Sequence, residues 1–184
     1  VSGRDVVRET ADACRKAGLG FGVYLSPWDR RQASYGKSEY IDYFFSQWLD
    51  LMDNYGELCE IWLDGANGGT GWYGGANGGK GERRSIPKGY YRLGDLLKML
   101  GDKHPMAVAF GGGGERSVGW CGNEKGASPE TWWCPRQSGE WLPPEADFPL
   151  RKGWFWHPDQ SPKPLALMPR MPPLSGTMVQ SSSP

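Results

Sequence analysis

Imidazole is scarce in this chain. Of 184 residues only His104 and His157 carry it, and the four cysteines (Cys14, Cys59, Cys121 and Cys134) contain no Cys-x-x-Cys pair. Zinc needs about four such ligands at workable spacing, so no metal site is expected, and reduced or buried thiols are the ordinary reading. Net charge is lacking too. Lys+Arg 21 against Asp+Glu 21 leaves no excess, and with it goes the electrostatic footprint that nucleic acid or an anionic membrane requires. No stretch approaches the roughly 18 apolar residues of a membrane span. The chain opens at Val1 without a basic and apolar leader, so no signal peptide is visible. Neither nucleic acid nor membrane is an expected partner; compartment and oligomeric state stay open.

What the chain does have is 10 Trp and 28 Gly. Broad indole faces in a neutral chain suit a bulky core or a pocket for flat, partly apolar ligands, and sugars offer such faces on their C–H sides. For any single tryptophan, core packing is the default.

Apolar spacing gives alternating helices and strands, in a length that suffices for one domain. Asp5 to Ala17 reads as a helix with Gly18 as its stop. Phe21 to Leu25 follows as a short buried strand. Ile41 to Tyr55 is a second helix, with Phe44, Phe45, Trp48, Leu51 and Met52 inward, and Leu58 to Leu63 a second strand. Gly65 to Gly89 is a glycine-rich insertion that is not expected to build a core. Tyr90 to Gly101 is a third helix and Met106 to Phe110 a third strand, running into four glycines. Helix–strand repeated three times, with near-continuous apolar strands, predicts a parallel sheet covered by helices. Barrel and open sheet both satisfy it. The first helix has no strand before it, and three strands cannot close a barrel of eight. The chain is therefore expected to be incomplete at its start. After Pro158 periodicity disappears among Pro162, Pro164, Pro169, Pro172, Pro173 and Ser181-Ser182-Ser183, a composition expected to be disordered.

The second strand ends Trp62-Leu63-Asp64-Gly65. Catalytic groups of parallel α/β sheets sit at the strands' carboxyl ends, where an Asp is placed to attack a substrate. An Asp there also caps loops and helices, and spacing does not separate the two roles. Gly69 to Gly74 mimics a dinucleotide fingerprint and Gly74 to Gly81 a phosphate loop. Both need a helix to start there, whereas Glu82 to Pro87 is polar and proline-broken. A surface insertion explains the glycines better. A second carboxylate for acid–base work has two candidates. Glu115 lies in open glycine beside Arg116, as a solvated ion pair would. Glu124 lies near Trp120, Cys121, Trp132 and Trp133, where aromatic cover raises a carboxyl pKa as a general acid requires. A loop glutamate bonding nearby amides is the alternative there.

Four blocks in order carry a family resemblance: Phe21-Gly22-Val23-Tyr24-Leu25-Ser26-Pro27-Trp28-Asp29, Trp62-Leu63-Asp64-Gly65-Ala66, Trp120-Cys121-Gly122-Asn123-Glu124-Lys125-Gly126 and Gly153-Trp154-Phe155-Trp156-His157-Pro158. They resemble signatures of the α-L-fucosidases of glycoside hydrolase family 29, most nearly the branch that cleaves α-1,3/1,4-linked fucose. The resemblance implies a (β/α)8 TIM-like barrel, here partial, over residues 1–160 and truncated at its N-terminus, with a non-homologous tail over 161–184. It implies retaining hydrolysis with Asp64 as nucleophile and Glu124 as acid/base. Tyr24, Trp28, Trp62 and Trp156 would lie at the sugar, the substrate would be a fucosylated oligosaccharide or glycoconjugate, and no metal or organic cofactor would be needed. The family's paired histidines would precede Val1, so this chain alone is expected to be weak or inert as a fucosidase. A non-catalytic glycan-binding remnant and a nucleotide-dependent enzyme using the glycine loop are the competing classes.

Overall fold

The computed structural model describes residues 3–29, 31–65, 72–73, 83–114, 116–120, 122, 142–145, 147, 149, 151, 154–155 and 157–160. The expectations for Glu115, Glu124, Trp156 and the 161–184 tail lie outside them.

Helix α1, Val6–Lys16, starts where the Asp5 carboxylate accepts the Arg8 N–H at 2.9 Å, filling one of the amides a first turn leaves open. It stops where Gly18 N–H donates to the Arg15 carbonyl and Leu19 N–H to the Cys14 carbonyl, the paired closure of a Schellman end. Strand β1 is Gly22–Tyr24. Helix α2, Glu39–Asn54, buries Tyr40, Ile41, Phe44, Trp48 and Met52, the one-sided stripe that a 3.6-residue period produces. Strand β2, Glu60–Trp62, follows. Two short strands, β3 Trp72–Tyr73 and β4 Arg83–Arg84, pair antiparallel. Helix α3, Leu93–Lys103, buries Leu96 and Leu100 and leads to β5, Val108–Phe110.

Strands β1, β2 and β5 form one parallel sheet in that order. Val23, Ile61 and Ala109 are in register, as are Tyr24, Trp62 and Phe110. Side chains alternate along a strand, so the first trio turns toward the core and the second away from it. Ile61, Leu58 and Leu63 are buried with Phe44, Trp48, Leu96 and Leu100, each such side chain stabilising the fold by about 1.5–3 kcal/mol. His104 is buried among them. Its Nδ1 accepts the Leu58 N–H at 3.3 Å and its Nε2 faces the Met52 carbonyl at 3.0 Å, which makes Nε2 the protonated nitrogen. That imidazole is committed to joining two backbone segments.

Two expectations change. The third helix begins at Leu93 rather than Tyr90, because Tyr90 and Tyr91 lie in a turn and Arg92 adopts φ 50. The tyrosines are drawn off by tertiary bonds: Tyr90 Oη donates to the Lys37 carbonyl and accepts the Gly36 N–H, both at 2.8 Å. The insertion does contribute to the core, since Ile86 is buried in the main cluster.

The chain divides into two compact units, residues 1–119 with 141–143 and residues 120–140 with 144–184. The first holds the three helices found among the described residues and the parallel sheet. In the second, the described regular structure is strand β7, Pro144–Glu145, and the Trp120 end of β6, Gly119–Trp120.

Candidate active site

Because strand residues alternate, Ile61 and Leu63 face the core while Trp62 and Asp64 share the opposite face. Asp64 thus emerges on the side lined by Tyr24, Trp62 and Phe110. These rings form a row across the carboxyl ends of three strands: Trp62 stacks on Phe110 with centroids 3.6 Å apart and planes 4° apart, and Tyr24 stacks on Trp62 at 6.0 Å and 23°. Tyr24 Oη donates to Asp64 Oδ2 at 2.7 Å. Partial burial, then the bond to Asp64 and its charge, push the Tyr24 phenol up to about 12. It is therefore a neutral donor at any ordinary pH, aimed at a carboxylate oxygen.

The main chain around Asp64 is held separately. Leu25 N–H donates to the Trp62 carbonyl at 3.1 Å and Leu63 N–H to the Phe110 carbonyl at 3.0 Å. Ser26 Oγ donates to the Asp64 carbonyl at 2.7 Å and accepts the Trp28 N–H at 3.1 Å. Gly65, at φ +75, turns the chain where a Cβ would stand 3.5 Å from Trp28. The left-handed backbone is what suits glycine there. Trp28 is half exposed beside this turn, and the preceding Pro27 carbonyl accepts from Tyr40 Oη at 2.7 Å. Tyr40 belongs to a cluster with Tyr35, Tyr90 and Tyr91, in which the hydroxyls of Tyr35 and Tyr91 bond each other. The loop bearing Trp28 is thus moored to α2 and to the turn before α3. Beyond β5, Gly111 passes so close that a Cβ would lie 2.6 Å from the Leu63 carbonyl.

Of the sequence candidates, Tyr24, Trp28, Trp62 and Asp64 are brought together. Glu124 and Trp156 lie outside the described residues, as does the alternative Glu115. The bond that the Asp64 carboxylate makes among the described residues runs across strands to a phenol. Sequence reasoning missed three contributors. Ser26 could have been found from its place two residues beyond Tyr24 at a strand end. Tyr40 carries no local signal, because its bond to Pro27 is made across the fold. Glu60 sits two residues before Trp62 on the same face, with one buried carboxylate oxygen unpartnered among the described residues; the alternation rule could have flagged it. Of the two nucleotide motifs, the phosphate-loop stretch Gly74 to Gly81 lies outside the described residues, and the dinucleotide fingerprint loses its premise. Where a dinucleotide fingerprint needs a helix to begin, Trp72–Tyr73 is a strand paired with Arg83–Arg84.

Among the described residues no group of three or more His, Cys, Asp or Glu side chains is placed to hold a metal ion, and no helix is long and apolar enough to cross a membrane.

A family model described as alpha-L-fucosidase matches residues 1–100. Alpha-L-fucosidase 1 of Arabidopsis thaliana is 37% identical over 181 residues, covering 87% of this chain and 33% of its own length. The crystal structure of a glycoside hydrolase 29 family member from an unknown rumen bacterium superposes with a TM-score of 0.67 at 41% identity, covering 85% of this chain and 31% of that one. Alpha-L-fucosidase isoenzyme 1 from Paenibacillus thiaminolyticus gives a TM-score of 0.62 at 22% identity, over 89% and 42%, a likeness of fold alone. The chain spans about a third of the length of the curated relatives it matches.

Proposed function

The chain belongs to the alpha-L-fucosidase family, and from that membership we propose that it carries the catalytic strand ends of a retaining enzyme that hydrolyses terminal α-linked L-fucose. The observation that carries this reading is Asp64 at the carboxyl edge of a parallel strand, its carboxylate gripped by Tyr24 at 2.7 Å beside a row of stacked rings.

In the proposed reaction, an Asp64 carboxylate oxygen attacks the anomeric carbon and forms a C–O bond as the bond to the leaving oxygen breaks. Glu124, protonated, gives its proton to that oxygen. The fucosyl ester on Asp64 is then cleaved by a water whose proton returns to Glu124. Retention by this route needs the two carboxyls about 5–5.5 Å apart. Trp28, Trp62 and Trp156 supply aromatic walls suited to the C–H faces and the C6 methyl of fucose. The substrate is a fucosylated glycan, and the α-1,3/1,4 linkages are the ones to test first. The strand order β1–β2–β5, each strand parallel and next to its successor in the repeat, supports a (β/α)8 barrel of which residues 1–160 supply a part.

Two proteins test this: the 184-residue chain and a version extended at both ends to its relatives' length, each assayed on an aryl α-L-fucoside. The extended version turns over and the short chain is weak or inert. Comparable turnover by both would refute the second half of that statement. In the extended version Asp64→Gly loses activity and azide partly returns it as a fucosyl azide. If azide fails, while Glu115→Ala behaves like Glu124→Ala, the roles are assigned wrongly.

A further inference from the structure

The ladder between β1 and β2 ends with Leu25 N–H on the Trp62 carbonyl. One residue on, the pairing continues through a side chain, as Ser26 Oγ takes up the Asp64 carbonyl at 2.7 Å. A serine hydroxyl has one donor and two acceptor sites. The donor is spent on the loop after β2, and an acceptor on Trp28 N–H in the loop after β1. Asp64 is consequently held at both ends, its carboxylate by Tyr24 and its carbonyl by Ser26. The residue that follows it is Gly65 at φ +75, a backbone with wide freedom of its own. A Cβ on Gly65 would lie 3.8 Å from the same Ser26 oxygen, so hydroxyl, turn and indole are mutually packed.

We infer that Ser26 is a positioning residue for the proposed reaction: its hydroxyl ties the Asp64 main chain and the Trp28 wall to a single point, so that the attacking oxygen and the sugar it attacks are registered in one frame. This rests on the reading of Asp64 as nucleophile. Tyr24 fixes where the carboxylate points only if the Cα that carries it stays put, and Ser26 is what holds that peptide on the β1 side. A displacement of about 1 Å at a reacting group costs about 100-fold in rate. A partial loss of registration is therefore expected to slow attack by about 10-fold or more, and to raise KM as Trp28 loosens.

The experiment uses the extended version and a 2-fluorinated fucosyl fluoride, which forms the ester and then hydrolyses slowly. Peptide mapping locates the ester, and the first-order trapping constant reports attack per folded site whatever fraction is folded. The expected result is an ester on Asp64, slowed about 10-fold or more by Ser26→Ala and returned to near the original rate by Ser26→Thr, which keeps the hydroxyl. Should the alanine variant give no soluble protein, Ser26→Cys keeps the volume with a weaker donor and is expected to slow trapping as well. An ester on Asp64 that forms equally fast without the hydroxyl overturns the role of Ser26 and leaves the nucleophile standing. An ester on another residue, or none, overturns both. Equal slowing by Ser26→Ala and Ser26→Thr also overturns it, since the effect would then lie in packing.

Discussion

Raising the pH is expected to unfold the first unit through its tyrosines. Burial pushes the phenols of Tyr35 and Tyr40 well above the ordinary 10, and Tyr90 up to about 12. A folded pKa above the unfolded one gives stability that is complete below pH 10 and is lost as pH climbs from there through the folded value. At about pH 11 each phenol kept protonated in the fold, but ionised in the unfolded chain, withdraws about 1.4 kcal/mol. Tyr35 and Tyr40 together withdraw about 3 kcal/mol, and Tyr90, partly solvated, about 1 more after screening. The sum, about 4 kcal/mol, is a large share of the roughly 5–15 kcal/mol that holds a domain folded. The assay is an alkaline titration followed by both the tyrosinate ultraviolet band and far-ultraviolet circular dichroism. The shifted phenols are expected to ionise together with loss of helix, in one transition above pH 10. Tyr35→Phe removes about one proton from the slope. If all eight tyrosines ionise near pH 10 while the helix signal holds, the cluster is open to water and the reasoning fails. Because Tyr40 anchors Pro27, fucoside turnover in the extended version is expected to fall at or before that transition.

Gly111→Ala places a methyl against the Leu63 carbonyl in left-handed backbone. A cost of about 1–3 kcal/mol is expected, with lowered turnover because Leu63 adjoins Asp64; a thermal melt unchanged from the parent would contradict it. His104→Ala leaves the Leu58 N–H and the Met52 carbonyl unpaired, and chemical denaturation is expected to show a loss of about 2–4 kcal/mol. Tyr24→Phe keeps the ring stack and removes the donor to Asp64. Trapping by the fucosyl fluoride is expected to slow by about 10-fold, the worth of one charge-assisted bond, with the melting temperature little changed. An unaltered trapping rate would remove Tyr24 from the nucleophile's support.

Much of this was legible beforehand because it follows from short-range rules. The helices over Val6–Lys16 and Glu39–Asn54 announce themselves through apolar spacing and, for the first, through Asp5 and Gly18 at its ends. Helix α3 starts later than its apolar spacing predicts, because Tyr90 and Tyr91 continue the helical pattern, yet their hydroxyls are claimed by Lys37, Gly36 and Tyr35, more than fifty positions away. Ile86 falls in an insertion whose glycines dominate local composition, and only its place in the tertiary core cluster buries it. At the site, Asp64 is legible as an acid ending a strand, whereas Tyr24 and Trp62 are placed at the sugar only by the family resemblance. Ser26 and Tyr40 were not singled out, since a hydroxyl's partners are chosen by how loops fold back.

The sequence by itself determined the periodic elements, the parallel arrangement that uninterrupted apolar strands require, and the presence of an acidic group where β2 stops. Those depend on neighbours within a few residues and on the burial of apolar surface. The tertiary structure alone decided that Tyr24 and Asp64, forty positions apart, meet at 2.7 Å, and that one serine joins both loops. Which of two in-register strand ends supplies the donor is set by sheet pairing, and pairing is a property of the assembled fold.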